Sequence, residues 1–128
     1  VPGAVVRHHG SATLGRLSAR AIYYGQRNLE WVYVKNSPRP VLLRTLVAHF
    51  VYDAAAGVYF LGTGRGWTFV RAKAAALAGM PGMLRKRAAV QRSRRADAEA
   101  IWRMLEPGWL GLKMREKRFD RDVAVAKP

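Results

Sequence analysis

Two breaks fence the most apolar stretch of this chain, and they limit what it can become. Asn36-Ser37-Pro38-Arg39-Pro40 precedes it and Gly62-Thr63-Gly64-Arg65-Gly66 follows it. Proline biases the residue before it away from helix, and glycine clusters end helices. The fenced run, 41–61, approaches the roughly 20 residues that cross a bilayer. Yet Arg44, His49 and Asp53 stand inside it, and ionisable groups are expensive near a bilayer centre. Helical spacing puts Thr45, His49 and Asp53 on one face, while Val47, Phe50, Val51, Ala54, Val58 and Leu61 cover much of the rest. This predicts an amphipathic helix that lies in a membrane interface or closes a core, in preference to a span. A span stays open as the alternative, because partner helices could satisfy the polar stripe.

The flanking segments carry helical signals too. Ser18 is placed to cap a helix over about 19–35, where Ala19, Ile22, Tyr23, Gln26, Leu29 and Val32 or Tyr33 recur at three- and four-residue steps. Residues 67–79 are an Ala-rich helical run, Pro81-Gly82 predicts a turn or a kink, and 83–95 can be helical again. Asp97 is suited to open a helix through about Leu105. Pro107 fits the first turn of a last helix over 107–119, and little would order the tail 120–128. Upstream, residues 4–7 predict a short strand and 9–16 a Gly/Ser/Thr loop. The expected fold class is therefore mainly α: a short N-terminal strand and loop, then four to six helices, some of them amphipathic.

Charge narrows the partners. The 128 residues carry a net charge of +15, and it is uneven. Residues 1–64 hold seven Lys/Arg against two acids, and residues 65–128 hold sixteen against six. No acid occurs between Asp53 and Asp97, while nine basic residues fall in 65–95. Such a block seeks a polyanion. Arg85, Lys86, Arg87, Arg92, Arg94 and Arg95 are the candidate contacts. Charge alone does not choose between an anionic membrane surface and nucleic acid, though zinc-finger, RNA-recognition and helix-turn-helix signatures are missing. Trp67, Phe69, Trp102 and Trp109 would suit the headgroup level. The chain has no cysteine, which removes disulfides and thiol chemistry. It opens Val1-Pro2-Gly3 without Met or a signal-peptide pattern, and we expect it to be part of a longer polypeptide.

The segment with chemistry is Val5-Val6-Arg7-His8-His9-Gly10-Ser11-Ala12-Thr13. A β-prone run delivers histidine to a small-residue loop. A neutral imidazole can ligate a divalent metal. Gly, Ser and Thr can bring N–H groups and hydroxyls to phosphate oxygens, and Arg16 or Arg20 can add charge. By itself the pattern more often marks ordinary polar residues.

Pro2-Gly3-Ala4 through Thr13, then Tyr23-Tyr24-Gly25-Gln26-Arg27-Asn28-Leu29 and Val34-Lys35-Asn36-Ser37-Pro38, resembles the segment that closes the catalytic domain of family 2 glycosyltransferases. Bacterial rhamnosyltransferase-like members continue with an apolar helical stretch and a basic tail, as residues 41–95 do in character. The resemblance implies an A-type glycosyltransferase fold, a nucleotide-binding α/β sandwich of which this chain would hold only the end. It implies a divalent metal, Mg or Mn, with His8 as a ligand (alternatively His9). The loop Gly10, Ser11, Thr13 and Arg16 would then face the diphosphate, and Arg27 and Asn28 the acceptor side or a domain junction. The partners it implies are a nucleotide-sugar donor and a glycan acceptor, in many members lipid-linked, and that favours an anionic membrane surface over nucleic acid for the basic block. The family's Asp-x-Asp motif and catalytic carboxylate lie upstream of such a segment. This chain therefore supplies no catalytic residue, and no transfer is expected from it alone. The domain reading is 1–36 as the end of a catalytic domain, 37–119 as a basic, membrane-associating helical region, and 120–128 as a disordered tail. The expected place is the cytoplasm, peripheral to the inner membrane.

Overall fold

The structure is a computed structural model that describes residues 18–105 and Gly111. Among these residues it has four helices: α1 Ala19–Asn36, α2 Arg39–Gly62, α3 Gly66–Ser93 and α4 Ala98–Met104. The expected strand at 4–7 and loop at 9–16 lie outside the described residues. So do the tail 120–128 and, apart from Gly111, the expected helix 107–119. The chain divides into two compact units, 1–95 and 96–128. The boundary expected at 36/37 falls between two helices of the first unit.

Local chemistry sets most helix ends. Ser18 Oγ accepts from Ala21 N–H at 3.1 Å and so occupies one of the free donors at the start of α1. Ser37 leaves helical geometry (φ −70°, ψ 128°) because Pro38 follows it. Pro38 then leads into α2, with Pro40 in the first turn, where a missing N–H costs nothing. At the other end Gly64 takes φ +70°. Gly64 N–H donates to Leu61 O at 3.1 Å and Arg65 N–H to Phe60 O at 2.7 Å, the paired bonds of a Schellman turn. The second unit's α4 opens on Asp97, whose Oδ1 accepts from Ala100 N–H at 2.6 Å, as its residue type and position predict.

Of the turn or kink expected at Pro81-Gly82, the turn is not there. α3 runs unbroken through Pro81-Gly82. An interior proline costs about 3 kcal/mol, so packing has to offset it, and α3 is anchored to α1 on both sides of Pro81. Ahead of it, Ala72 and Ala76 are fully buried, and Trp31 Nε1–H donates to Ala76 O at 2.9 Å. Gly79 lies directly under the Trp31 ring, where a Cβ would come within 2.5 Å of Cζ2. Beyond it, Arg87 Nη1 donates to Val34 O and, at 2.7 Å, to Ser37 O. Gln91 Nε2 donates to Lys35 O at 3.3 Å and Asn36 O at 3.1 Å. Those carbonyls are the last of α1 and have no intrahelical partner, so α3 caps α1.

These contacts also fix direction. The start of α1 lies beside Thr68 and Arg71, its middle beside Ala76 and Gly79, and its end beside Arg87 and Gln91. Helices α1 and α3 therefore run parallel, and α2 returns between their ends. Phe69 turns inward against Phe60, with centroids 5.7 Å apart, and meets α2 at Gly57; it does not sit at an exposed headgroup level. The core is small: Ile22, Val41, Phe60, Ala72 and Ala76. In α1 only Ile22 is buried, and of the expected Val32 or Tyr33 it is Tyr33 that turns inward, onto His49, while Val32 is exposed.

Candidate functional site

Three helices meet at one ionic cluster. Helix α1 brings Glu30, α2 brings His49 and Asp53 one turn apart, and α3 brings Lys73. His49 Nε2 lies 2.9 Å from Glu30 Oε2 and 3.9 Å from Asp53 Oδ2. Lys73 Nζ donates to Glu30 Oε1 and, at 2.7 Å, to Asp53 Oδ1. The four side chains are between 12% and 19% exposed. The Tyr33 ring stacks on His49 at 3.9 Å and 6°. Its hydroxyl bonds Leu42 O at 2.9 Å and Thr45 Oγ1 at 3.1 Å. The expected stripe Thr45–His49–Asp53 thus faces α1 and α3, and every member of it has a partner.

Burial pushes the Glu30 carboxyl up, but the hydrogen bonds and charges of Lys73 and His49 outweigh it and hold the group below its ordinary value. Burial also pushes Asp53 up, and there it wins: the neighbouring Glu30 charge adds to it against the pull of Lys73. Glu30 is therefore the charged acceptor of the cluster, and an ionised carboxylate only accepts, so His49 Nε2–H is the donor.

Glu30, His49 and Asp53 offer ligand atoms within 4.8 Å of one another. An imidazole and two carboxylates are a donor set for a divalent metal. Lys73 already places a charge between the two carboxylates, and a metal would have to displace it. The geometry is that of an ion-pair node locking α1, α2 and α3 together.

The opposite side of α2 is the unusual one. Val47, Phe50, Val51, Val58 and Leu61 are between 62% and 74% exposed, and Leu43 joins them. At about 100° per residue they form one stripe, diametrically across from Thr45, His49 and Asp53. The polarity of α2 is largely inverted: His49 and Asp53 point inward and large apolar side chains point outward, while Arg39 and Arg44 are exposed. Burying one such side chain is worth about 1.5–3 kcal/mol. Six of them amount to on the order of 10 kcal/mol, as much as the whole stability of a typical domain. An apolar face of that worth marks an interaction surface. By length and composition α2 alone, among the described residues, could cross a membrane.

The sequence-predicted residues fall in three groups. His8, His9, Gly10, Ser11, Thr13 and Arg16 lie outside the described residues. Arg27 lies over Trp31 at 4.3 Å, Tyr24 at 4.9 Å and Tyr23 at 5.6 Å, and donates to Asn28 Oδ1 from Nε and Nη2. That pair is held along α1 itself. Of the basic block, Arg85, Lys86, Arg92, Arg94 and Arg95 are exposed, whereas Arg87 is partly buried and caps α1. Sequence reasoning did not single out Glu30 or Lys73. One signal pointed to them: Glu30 and Asp53 are the only acids before Asp97, and a half-buried acid needs a cation.

No family description, curated protein or solved structure matches this chain.

Proposed function

We propose that helices α1–α3 dock a larger enzyme on an anionic membrane surface. In this reading the enzyme is an inverting, metal-dependent glycosyltransferase of family 2, and this chain is its C-terminal part. The observation that carries the docking is the inverted polarity of α2. His49 and Asp53 are paired with α1 and α3, and the exposed stripe matches an acyl boundary. A flat orientation follows from the partners: a spanning α2 would carry Glu30 and Lys73 into the hydrocarbon with it. Five exposed cations on the C-terminal half of α3 and just beyond it add about 1 kcal/mol each at an anionic surface.

The transferase half of the proposal rests on the resemblance of residues 2–36. A metal held partly by His8 would polarise the donor diphosphate. Sugar would pass from a nucleotide-sugar to a glycan acceptor, lipid-linked in keeping with the membrane. Two measurements test the two halves. The full chain is expected to float with anionic liposomes and not with neutral ones, the binding weakening as salt rises. A tighter hold on DNA than on anionic liposomes at equal salt would instead favour a nucleic-acid module. In the longer enzyme, His8→Ala is expected to cut metal-dependent turnover by about tenfold or more. An unchanged metal titration would remove His8 from the site.

A further inference from the structure

Helix α3 carries an apolar stripe of its own. Trp67, Val70, Leu77 and Leu84 are each between 51% and 74% exposed. Ala74 and Pro81, also exposed, fill the positions between them. The six follow one another at alternating steps of three and four, so they share one side of the helix. The contacts already described say which side. Going round α3 at about 100° per residue, the positions that meet α1 come first: Ala76, Gly79 and Arg87. Phe69 and Lys73, which meet α2, come next. The stripe lies about 90° beyond them. Helix α2 gives the same order. Thr45 and His49 meet α1, Asp53, Gly57 and Phe60 meet α3, and the outer stripe lies about 100° further on. Because α2 runs against α3, the two rotations are opposite in sense. Both stripes therefore point to the same side of the pair, the side away from α1. At the other end of α3, Leu84 shares a recess with Arg39 and Pro40, so the two helices are neighbours there as well.

We infer that α2 and α3 together form one lipid-facing platform, with α1 on the side away from the bilayer. The inference rests on the membrane-docking reading and adds a second helix to the surface that docks. Packed helices lie about 8–10 Å apart, and the α3 stripe from Trp67 to Leu84 is about 25 Å long. The apolar face is thus two helices wide. A single partner helix would cover one stripe or the seam between them, whereas a bilayer covers both at once. Charge points to the same occupant. Arg44 borders the stripe on α2, Arg85 and Arg92 border the one on α3, and all three are exposed. The only acid in either helix is Asp53, which faces inward on Lys73. A cationic rim around an apolar centre complements anionic headgroups around acyl chains. A second copy of the chain would bring like charges to the same rims.

The test uses the full chain and vesicles of phosphatidylcholine with phosphatidylglycerol, the partition coefficient being read by sedimentation. Leu77→Ser/Leu84→Ser strips the α3 half of the face and Val47→Ser/Val58→Ser the α2 half. Val32→Ser, which removes an exposed valine from α1, is the control. Circular dichroism checks that all three variants keep their helix content. Each stripe pair is expected to lower partition by about tenfold or more, the worth of one buried leucine. Val32→Ser is expected to change it by less than about twofold. Unchanged partition of the Leu77/Leu84 pair, with a loss in the Val47/Val58 pair, would overturn the platform and leave docking on α2 alone. A loss in Val32→Ser as large as in the stripe pairs would overturn it too, since α1 would then lie against the lipid. A lipid-free dimer in sedimentation equilibrium that Leu77→Ser/Leu84→Ser dissolves would assign the face to a second copy and refute the lipid. If wild type binds no anionic vesicle, docking and the platform fall together.

Discussion

Helices α1 and α2 solve opposite problems. α1 buries Ile22 and lays Trp31 on the small-residue track Ala72–Ala76–Gly79, with its last carbonyls capped by Arg87 and Gln91. Its packing and its C-terminal caps come from α3, while Glu30 and Tyr33 reach α2. α2 spends its inner face on Thr45, His49 and Asp53 and leaves Val47, Phe50, Val51, Val58 and Leu61 outside. Its inner polar side chains all have partners, and its outer apolar ones do not have cover. The contrast shows that hydrophobicity alone does not tell a core helix from a surface-seeking one. Where the polar residues find their partners does.

The sharpest way to break that contrast is to unlock the node. Lys73→Met leaves two carboxylates facing each other with one imidazole between them. Removing one member of a buried ionic set costs about 3–5 kcal/mol, and urea unfolding is expected to show a loss of that size. The triple variant Glu30→Gln/Asp53→Asn/Lys73→Met should recover most of it. A loss below about 1 kcal/mol, the range of exposed pairs, would mean that the node does not hold α2 in place.

The α1–α3 seam gives the next effect. Gly79→Val pushes a branched side chain into the Trp31 ring. Overpacking costs about 1–3 kcal/mol, and the Trp31 environment should change in near-ultraviolet dichroism. Equal stability would mean that α1 can slide on α3.

A smaller effect is a pH dependence. Glu30 has a lowered folded-state pKa, so its contribution is present above the unfolded value of about 4.3 and is lost as pH falls through the lower folded value. Asp53, raised, has the opposite sign: its contribution fades as pH rises past the unfolded value. Glu30→Gln is expected to flatten the rise of stability with pH in the window below about 4.3. An unchanged slope there would show that Glu30 is not the group the node keeps charged.

Least affected should be the outer stripe. Val58→Thr, in solution without lipid, is expected to stay within about ±0.5 kcal/mol. A larger loss would mean that this face is packed by protein.

What the sequence revealed follows the range of each interaction. The ends at Ser37 and Gly64 were legible because proline and glycine act on their immediate neighbours. The Thr45–His49–Asp53 stripe was legible because one helical period contains it. Pro81 left a turn open beside a kink, because its local cost is visible while the anchors that offset it, Trp31 and the end of α1, lie some 50 residues upstream. Glu30 and Lys73 stayed hidden for the same reason: each finds its partners on another helix. The inversion of α2 needed the structure, since the pattern of an amphipathic helix is the same whichever face turns inward. The His8–Arg16 loop lies outside the described residues.

The central claim is that the outer stripe of α2 lies flat in a lipid interface, and the absence of cysteine makes it directly measurable. Single cysteines at Val47, Val51, Val58 and Leu61 would carry nitroxide labels, read by collision with oxygen and with a polar relaxing agent. On anionic vesicles all four are expected to gain oxygen contact, lose polar contact and report one common depth. A depth that grows steadily along the helix, or four labels that stay as water-exposed as in solution, would contradict it.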